Sequence, residues 1–163
     1  MQAYGLTDPG SVRSENQDVF AIEHLEDGSV LALVCDGMGG AKAGNVASHL
    51  AAEVFVNEIK RSMDARLTEQ EIAVLLDGAA ALANNAVYEQ ANLSQQYSGM
   101  GTTLVAALVR DKVAYFINVG DSRAYHMEED EIHRVTIDHS VVEMMIRRGE
   151  LTKEEAKDIR ERI

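Results

Sequence analysis

The chain has 163 residues, of which 46% are hydrophobic, enough for one globular core that buries roughly 70% of the surface the unfolded chain would expose. Its 27 acidic residues outnumber 15 basic ones, for a formal charge of -12, which argues against nucleic acid and anionic membranes as partners and in favour of divalent cations. No apolar run approaches the length of a membrane span and the first residues lack the basic start and apolar core of a signal peptide, so a cytoplasmic location is expected; a monomer is expected as well.

The first elements form a hairpin. VFAIEHL, then EDG, then SVLALVC reads as two strands joined by a three-residue loop, with Gly28 in the left-handed position that closes such a turn. Cys35 ends the second strand and reads as a buried, inert thiol; as the single cysteine it excludes an internal disulfide and an all-cysteine zinc site. From Gly44 to Met63, residues Val46, Leu50, Val54 and Ile59 fall on one helical face. Thr68 to Glu71 has the form of a capping box, and Ile72, Leu75, Leu76, Ala79, Leu82, Ala83 and Ala86 carry the stripe of a second helix to about Asn92.

From Thr102 the period changes to that of strands: TLVAALV, VAYFINV, RAYHM and EIHRVTI, separated by turns at Arg110-Asp111, Gly120-Asp121-Ser122 and Glu128 to Asp130. These predict an antiparallel meander. Ser140 with Glu143 and Thr152 with Glu155 predict two further capped helices, the first ending near Gly149. Strands, helices, strands, helices is the order of an α+β layered fold rather than of parallel βαβ units. The strands around Val30 to Cys35 and Val113 to Val119 are apolar on both faces, so both faces need covering, and a four-layer α-β-β-α sandwich of antiparallel sheets satisfies this. No linker or repeat divides residues 1–163, which read as one domain.

The hairpin also carries the candidate site. Counting from the turn, Leu25 faces Ser29, so Asp18 faces Asp36 at the open end. Two carboxylates directly opposite on one sheet face repel unless a cation lies between them. Gly37, Gly39 and Gly40 would let backbone approach that ion. The alternative is that Asp18 closes an Asx-turn and Asp36-Gly37 is a turn with no ligand.

The runs R-S-E-N-Q-D (Arg13 to Asp18) and V-C-D-G-M-G-G (Val34 to Gly40), followed in order by Ser98 to Thr103 (S-G-M-G-T-T), Asn118 to Tyr125 (N-V-G-D-S-R-A-Y) and Thr136 to Ser140 (T-I-D-H-S), resemble the bacterial type 2C metal-dependent Ser/Thr protein phosphatases. The resemblance runs from Gly5 to about Ala156 and implies the four-layer sandwich. It also implies hydrolysis of phosphoserine and phosphothreonine in protein substrates through a hydroxide bridging two Mn2+ or Mg2+ ions, such hard cations preferring oxygen ligands. By resemblance, Asp36 bridges the two ions, Gly37 supplies its carbonyl to one, Asp18 reaches the site largely through water, and Arg13 clamps phosphate with its guanidinium fork. Asp121 is the counterpart of an acidic residue that helps hold a further ion in bacterial members; capping its turn is the other reading.

Two departures from the family pattern stand out. Met38 replaces a histidine that some members carry two residues after the bridging aspartate, so a bound water would have to protonate the leaving group. His139 reads as organising its loop rather than doing chemistry. The family's later Ser-Asp-Gly-type motif and last metal-binding aspartate are absent from the sequence, which reads as lacking the C-terminal portion, and Glu150, Glu154, Glu155 and Asp158 read as exposed helix charges. Turnover by this form is therefore expected to be impaired. A non-catalytic regulatory module keeping a partial metal site is the rival reading. A covalent role for Asp36 is disfavoured, because that chemistry wants a second carboxylate at the position of Met38.

Overall fold

The computed structural model describes residues 1–11 and 15–160, and only the backbone of residues 41, 42, 153 and 158–160. In chain order the elements are β1 (Asp18–His24), β2 (Val30–Met38), α1 (Gly40–Ser62), α2 (Glu69–Leu93), β3 (Gly101–Thr102), β4 (Leu104–Arg110), β5 (Val113–Val119), β6 (Tyr125–Glu128), β7 (Glu131–Arg134), α3 (Val141–Arg147) and α4 (Lys153–Arg160). The α+β class expected from the sequence is the class observed.

The first hairpin closes as its loop dictates. Gly28 sits at φ 86°, its N–H donates to Leu25 O, and Leu25 N–H donates to Ser29 O. The register that follows pairs Asp18 with Asp36 and His24 with Val30. β2 then pairs with β4 and β4 with β5, giving the strand order β1-β2-β4-β5, with the short β3 continuing the β4 line alongside the end of β2. The β4-β5 turn is tight, with Asp111 at φ 50° and Lys112 at φ 68°, the double positive φ of a type I′ hairpin.

Alternation along β2 sends Leu31, Leu33 and Cys35 to one face and Val34 and Asp36 to the other. The first face carries the core, where Leu31, Leu33, Cys35 and Leu108 meet Phe55 and Ile59 of α1 and Ile72 and Leu76 of α2. Phe55, Ile59 and Ile72 are completely buried. The predicted capping box starts α2: Thr68 accepts from Glu71 N–H, and the Glu71 side chain accepts from Thr68 N–H. A second box, Thr152 with Glu155, opens α4.

Three expectations need correction. Helix α1 begins at Gly40, four residues before the expected Gly44, behind Gly39, an N-cap at φ 123° with no side-chain cap; no Ser, Thr, Asp or Asn stands there to mark the start. The meander also splits. Among the described residues β6 pairs with β7 alone, in a separate two-stranded sheet, so Gly120-Asp121-Ser122 is not a hairpin turn but the point where the chain leaves the first sheet. Glycine permits the close approach at this point, since Gly120, at φ 107°, lies over Thr103 so closely that a Cβ there would sit 2.7 Å from Thr103 Cγ2.

Coverage of the second sheet face is the third correction. Among the described residues, Phe20, Val34 and Phe116 remain 36–44% exposed. Phe20 and Val34 border an apolar groove of about 320 Å3 that Tyr4 to Leu6 and Arg123-Ala124 also line. No helix among the described residues is long and apolar enough to cross a membrane.

Candidate metal centre

The site lies at the open end of the first hairpin, on the sheet face away from α1 and α2. Gly37 N–H donates to Gln17 O at 3.2 Å, so residues 17 and 37 form the hydrogen-bonded pair. Asp18 and Asp36 therefore form the next, non-hydrogen-bonded pair, in which Cα atoms approach to about 4.5 Å and side chains on one face are closest. Asp36 instead spends its backbone on the other neighbour: its N–H donates to Thr103 Oγ1 at 3.0 Å, and its carbonyl accepts from Thr103 N–H at 2.9 Å and Thr102 Oγ1 at 3.0 Å. The Asp18 N–H is held by Asn16 Oδ1 at 3.0 Å, and Asn16 in turn donates to Thr7 Oγ1 at 2.6 Å.

Packing fixes Gly37. A Cβ at this position would lie 2.6 Å from the Gly44 carbonyl carbon and closer still to its oxygen, so the end of β2 touches the start of the second turn of α1 backbone to backbone. Gln17 locks the same corner by donating from Nε2 to Gly40 O at 2.9 Å. Sequence reasoning missed Gln17 in this role; the signal was its place one residue before Asp18, where the pleat sends it to the helix face.

Asp121 stands apart from the carboxylate pair. The registers place Asp18, Asp36, Thr103 and Gly120 in one row across the sheet, so Asp121 begins two strand spacings from Asp36, on the order of 10 Å away. Consistently, no group of three or more His, Cys, Asp or Glu side chains that could hold a metal ion occurs among the described residues. The Asp121 loop is nonetheless well held. His139 N–H donates to Gly120 O at 2.8 Å, His139 Nδ1 accepts from Gly120 N–H at 3.3 Å, and Asn118 Nδ2 donates to Gly120 O at 3.2 Å. His139 thus organises a loop, as its sequence context suggested. Behind it the buried Asp138 carboxylate accepts from Arg123 Nε and Nη2 at 2.9 and 2.5 Å, a two-point pair that holds the Arg123 guanidinium well above its usual range.

The remaining expectations fall as follows. Arg13 lies outside the described residues. Met38 is 59% exposed, and its thioether has no proton to give. Burial pushes the Cys35 thiol up to about 12, which agrees with an inert role. Glu155 belongs to its capping box.

The residues present fit a hard divalent cation. Their donors are oxygens only, from two facing carboxylates and the Gly37 carbonyl, and Mg2+ is commonly held by one or two carboxylates with waters completing its shell.

Comparison with known proteins agrees with this fold. The family model for protein phosphatase 2C matches residues 11–158. The serine/threonine phosphatase Stp of Listeria innocua is 37% identical over 156 residues, covering 96% of this chain and 62% of the relative. Among solved structures, the Streptococcus agalactiae serine/threonine phosphatase superposes with a TM-score of 0.82 at 36% identity, covering 93% of this chain and 62% of that one. Stp1 from Staphylococcus aureus gives a TM-score of 0.83 at 35% identity, covering 92% and 58%. The chain thus spans about 62% of the length of the first two of these relatives. With the match running over nearly all of the sequence and the fold superposing at this level, the chain belongs to the protein phosphatase 2C family.

Proposed function

We propose that this chain forms the metal-bearing part of a Mn2+- or Mg2+-dependent phosphatase acting on phosphoserine and phosphothreonine in proteins. The observation that carries the reading is the facing pair Asp18 and Asp36 beside the tightly packed Gly37; kinship with bacterial Ser/Thr phosphatases supports it. When bound, the cations supply charge neutralisation at the phosphoryl group and a water acidified enough to attack it.

This chain's residues do the rest. Asp36 would hold the cations through its carboxylate and Gly37 one of them through its carbonyl, Asp18 would reach them largely through water, and Asp121 would add an anionic edge for a further ion. Arg13 binds the phosphate oxygens in two-point geometry and orients them for in-line displacement. Met38 donates no proton, so the leaving serine or threonine oxygen takes its proton from water.

The test is release of phosphate from phosphoserine and phosphothreonine peptides with Mn2+, Mg2+ or chelator. Turnover that needs the metal and vanishes in Asp36→Asn is expected; turnover indifferent to chelator overturns the reading. The absence of a three-carboxylate cluster among the described residues favours a second reading, a module that binds one divalent cation without catalysis. Stoichiometric Mn2+ binding without phosphate release would select it.

A further inference from the structure

We infer that Thr103 is a positioning residue that couples the Asp36 metal ligand to the Asp121 loop through its hydroxyl group. This inference rests on the metal-binding reading above. In an antiparallel ladder the pair 36–103 should exchange two backbone bonds, one in each direction. Of these, the one found among the described residues runs from Thr103 N–H to Asp36 O at 2.9 Å. The reverse bond is diverted: Asp36 N–H donates to Thr103 Oγ1 at 3.0 Å instead of to the Thr103 carbonyl, and that carbonyl lies 2.9 Å from Thr102 Oγ1. The regular strand is interrupted at this one residue, between β3 and β4.

The diverted hydroxyl has a second partner. Thr103 Oγ1 lies 2.6 Å from Ser122 Oγ, next to Asp121, and the Thr103 methyl is packed under Gly120. Thr103 is 6% exposed, so water is a poor substitute for either bond. A single buried oxygen therefore fixes the main chain of Asp36 on one side and the start of the Asp121 loop on the other. A backbone carbonyl could satisfy the Asp36 N–H, but it could not also exchange a hydroxyl bond with Ser122 while the strand keeps its register.

Two substitutions separate the hydroxyl from the methyl. Thr103→Val keeps the branched shape and removes the oxygen; Thr103→Ser keeps the oxygen and removes the methyl. The measurements are Mn2+ affinity by titration calorimetry and thermal unfolding in chelator. If the hydroxyl couples the two segments, T103V binds Mn2+ at least tenfold more weakly than the unsubstituted protein, while T103S stays within about threefold. A packing role alone predicts the reverse order, and equal affinity in T103V also overturns the inference. Should T103V fail to unfold cooperatively, Ser122→Ala carries the test, since it leaves the Asp36 N–H satisfied: at least threefold weaker binding is expected, and unchanged binding overturns the coupling. Failure of the unsubstituted protein to bind Mn2+ at all would instead overturn the metal reading itself, and the inference with it.

Discussion

Replacing Gly37 with alanine tests how the site is built. The added Cβ would sit 2.6 Å from the Gly44 carbonyl carbon and 3.0 Å from Gln17 O, and both neighbours are backbone, which cannot rotate away. Relief requires the end of β2 and the second turn of α1 to separate by on the order of 1 Å, and overpacking of this kind costs about 1–3 kcal/mol. At ~2 kcal/mol a domain of this size loses about 4–8 °C in Tm. The same separation moves the Gly37 carbonyl relative to Asp36 and Asp18, so Mn2+ affinity should fall along with stability. Gly78 provides the control: it is an exposed glycine inside α2 with no atom within 4 Å of an added Cβ, so Gly78→Ala should stabilise by about 0.8–1 kcal/mol through helix propensity. Differential scanning calorimetry of both variants, with and without Mn2+, is the assay. A Gly37→Ala protein with unchanged Tm and unchanged Mn2+ affinity would refute the argument.

Thr68→Ala should cost about 1 kcal/mol in urea unfolding by removing the N-cap of α2. Bonds from Thr68 hold the Glu71 carboxyl below its ordinary 4.5, so its contribution is present above about pH 4.5 and lost as the pH falls further, and the stability of Thr68→Ala should depend less on pH there; parallel curves would count against the capping box. Cys35 should resist alkylation at pH 9 in the folded protein and react only on unfolding, because its neutral form is favoured up to about 12. That contribution to stability is complete below pH 9 and declines as the pH rises from 9 toward 12, so reaction of the native thiol at a free-thiol rate would contradict the burial. Phe55→Ala should lose about 3–5 kcal/mol, since Phe55 of α1 is wholly buried in the core cluster that β2 and α2 share; a loss under ~1 kcal/mol would mean the core lies elsewhere.

Much of this fold was legible because short-range rules decide it. A left-handed glycine at position 28 fixes the loop, the loop fixes the register, and the register brings Asp18 opposite Asp36. The capping boxes at Thr68 and Thr152 were readable for the same reason, since both partners lie within one turn of chain. What sequence could not supply depended on distant partners. Gly37 and Gly44 look like loop glycines until the close approach of β2 and α1 is known. Thr103 reads as one more β-branched strand residue, and only the diverted bond from Asp36 marks it out. Where the expected meander splits, Gly120 lies over Thr103 and is latched by His139, contacts 17 and 19 residues away in sequence, while the apolar pattern of RAYHM suits either sheet equally well.

The central claim is that Asp18 and Asp36 share a divalent cation, and calorimetric titration of Mn2+ into the unsubstituted protein and Asp36→Asn tests it most directly. Removing one of two facing carboxylates takes away a ligand and also the repulsion that the cation relieves. Asp36→Asn should therefore bind Mn2+ at least tenfold more weakly, a difference of about 1.4 kcal/mol, while its Tm in chelator stays the same or rises. Equal Mn2+ affinity in the two proteins would contradict the account.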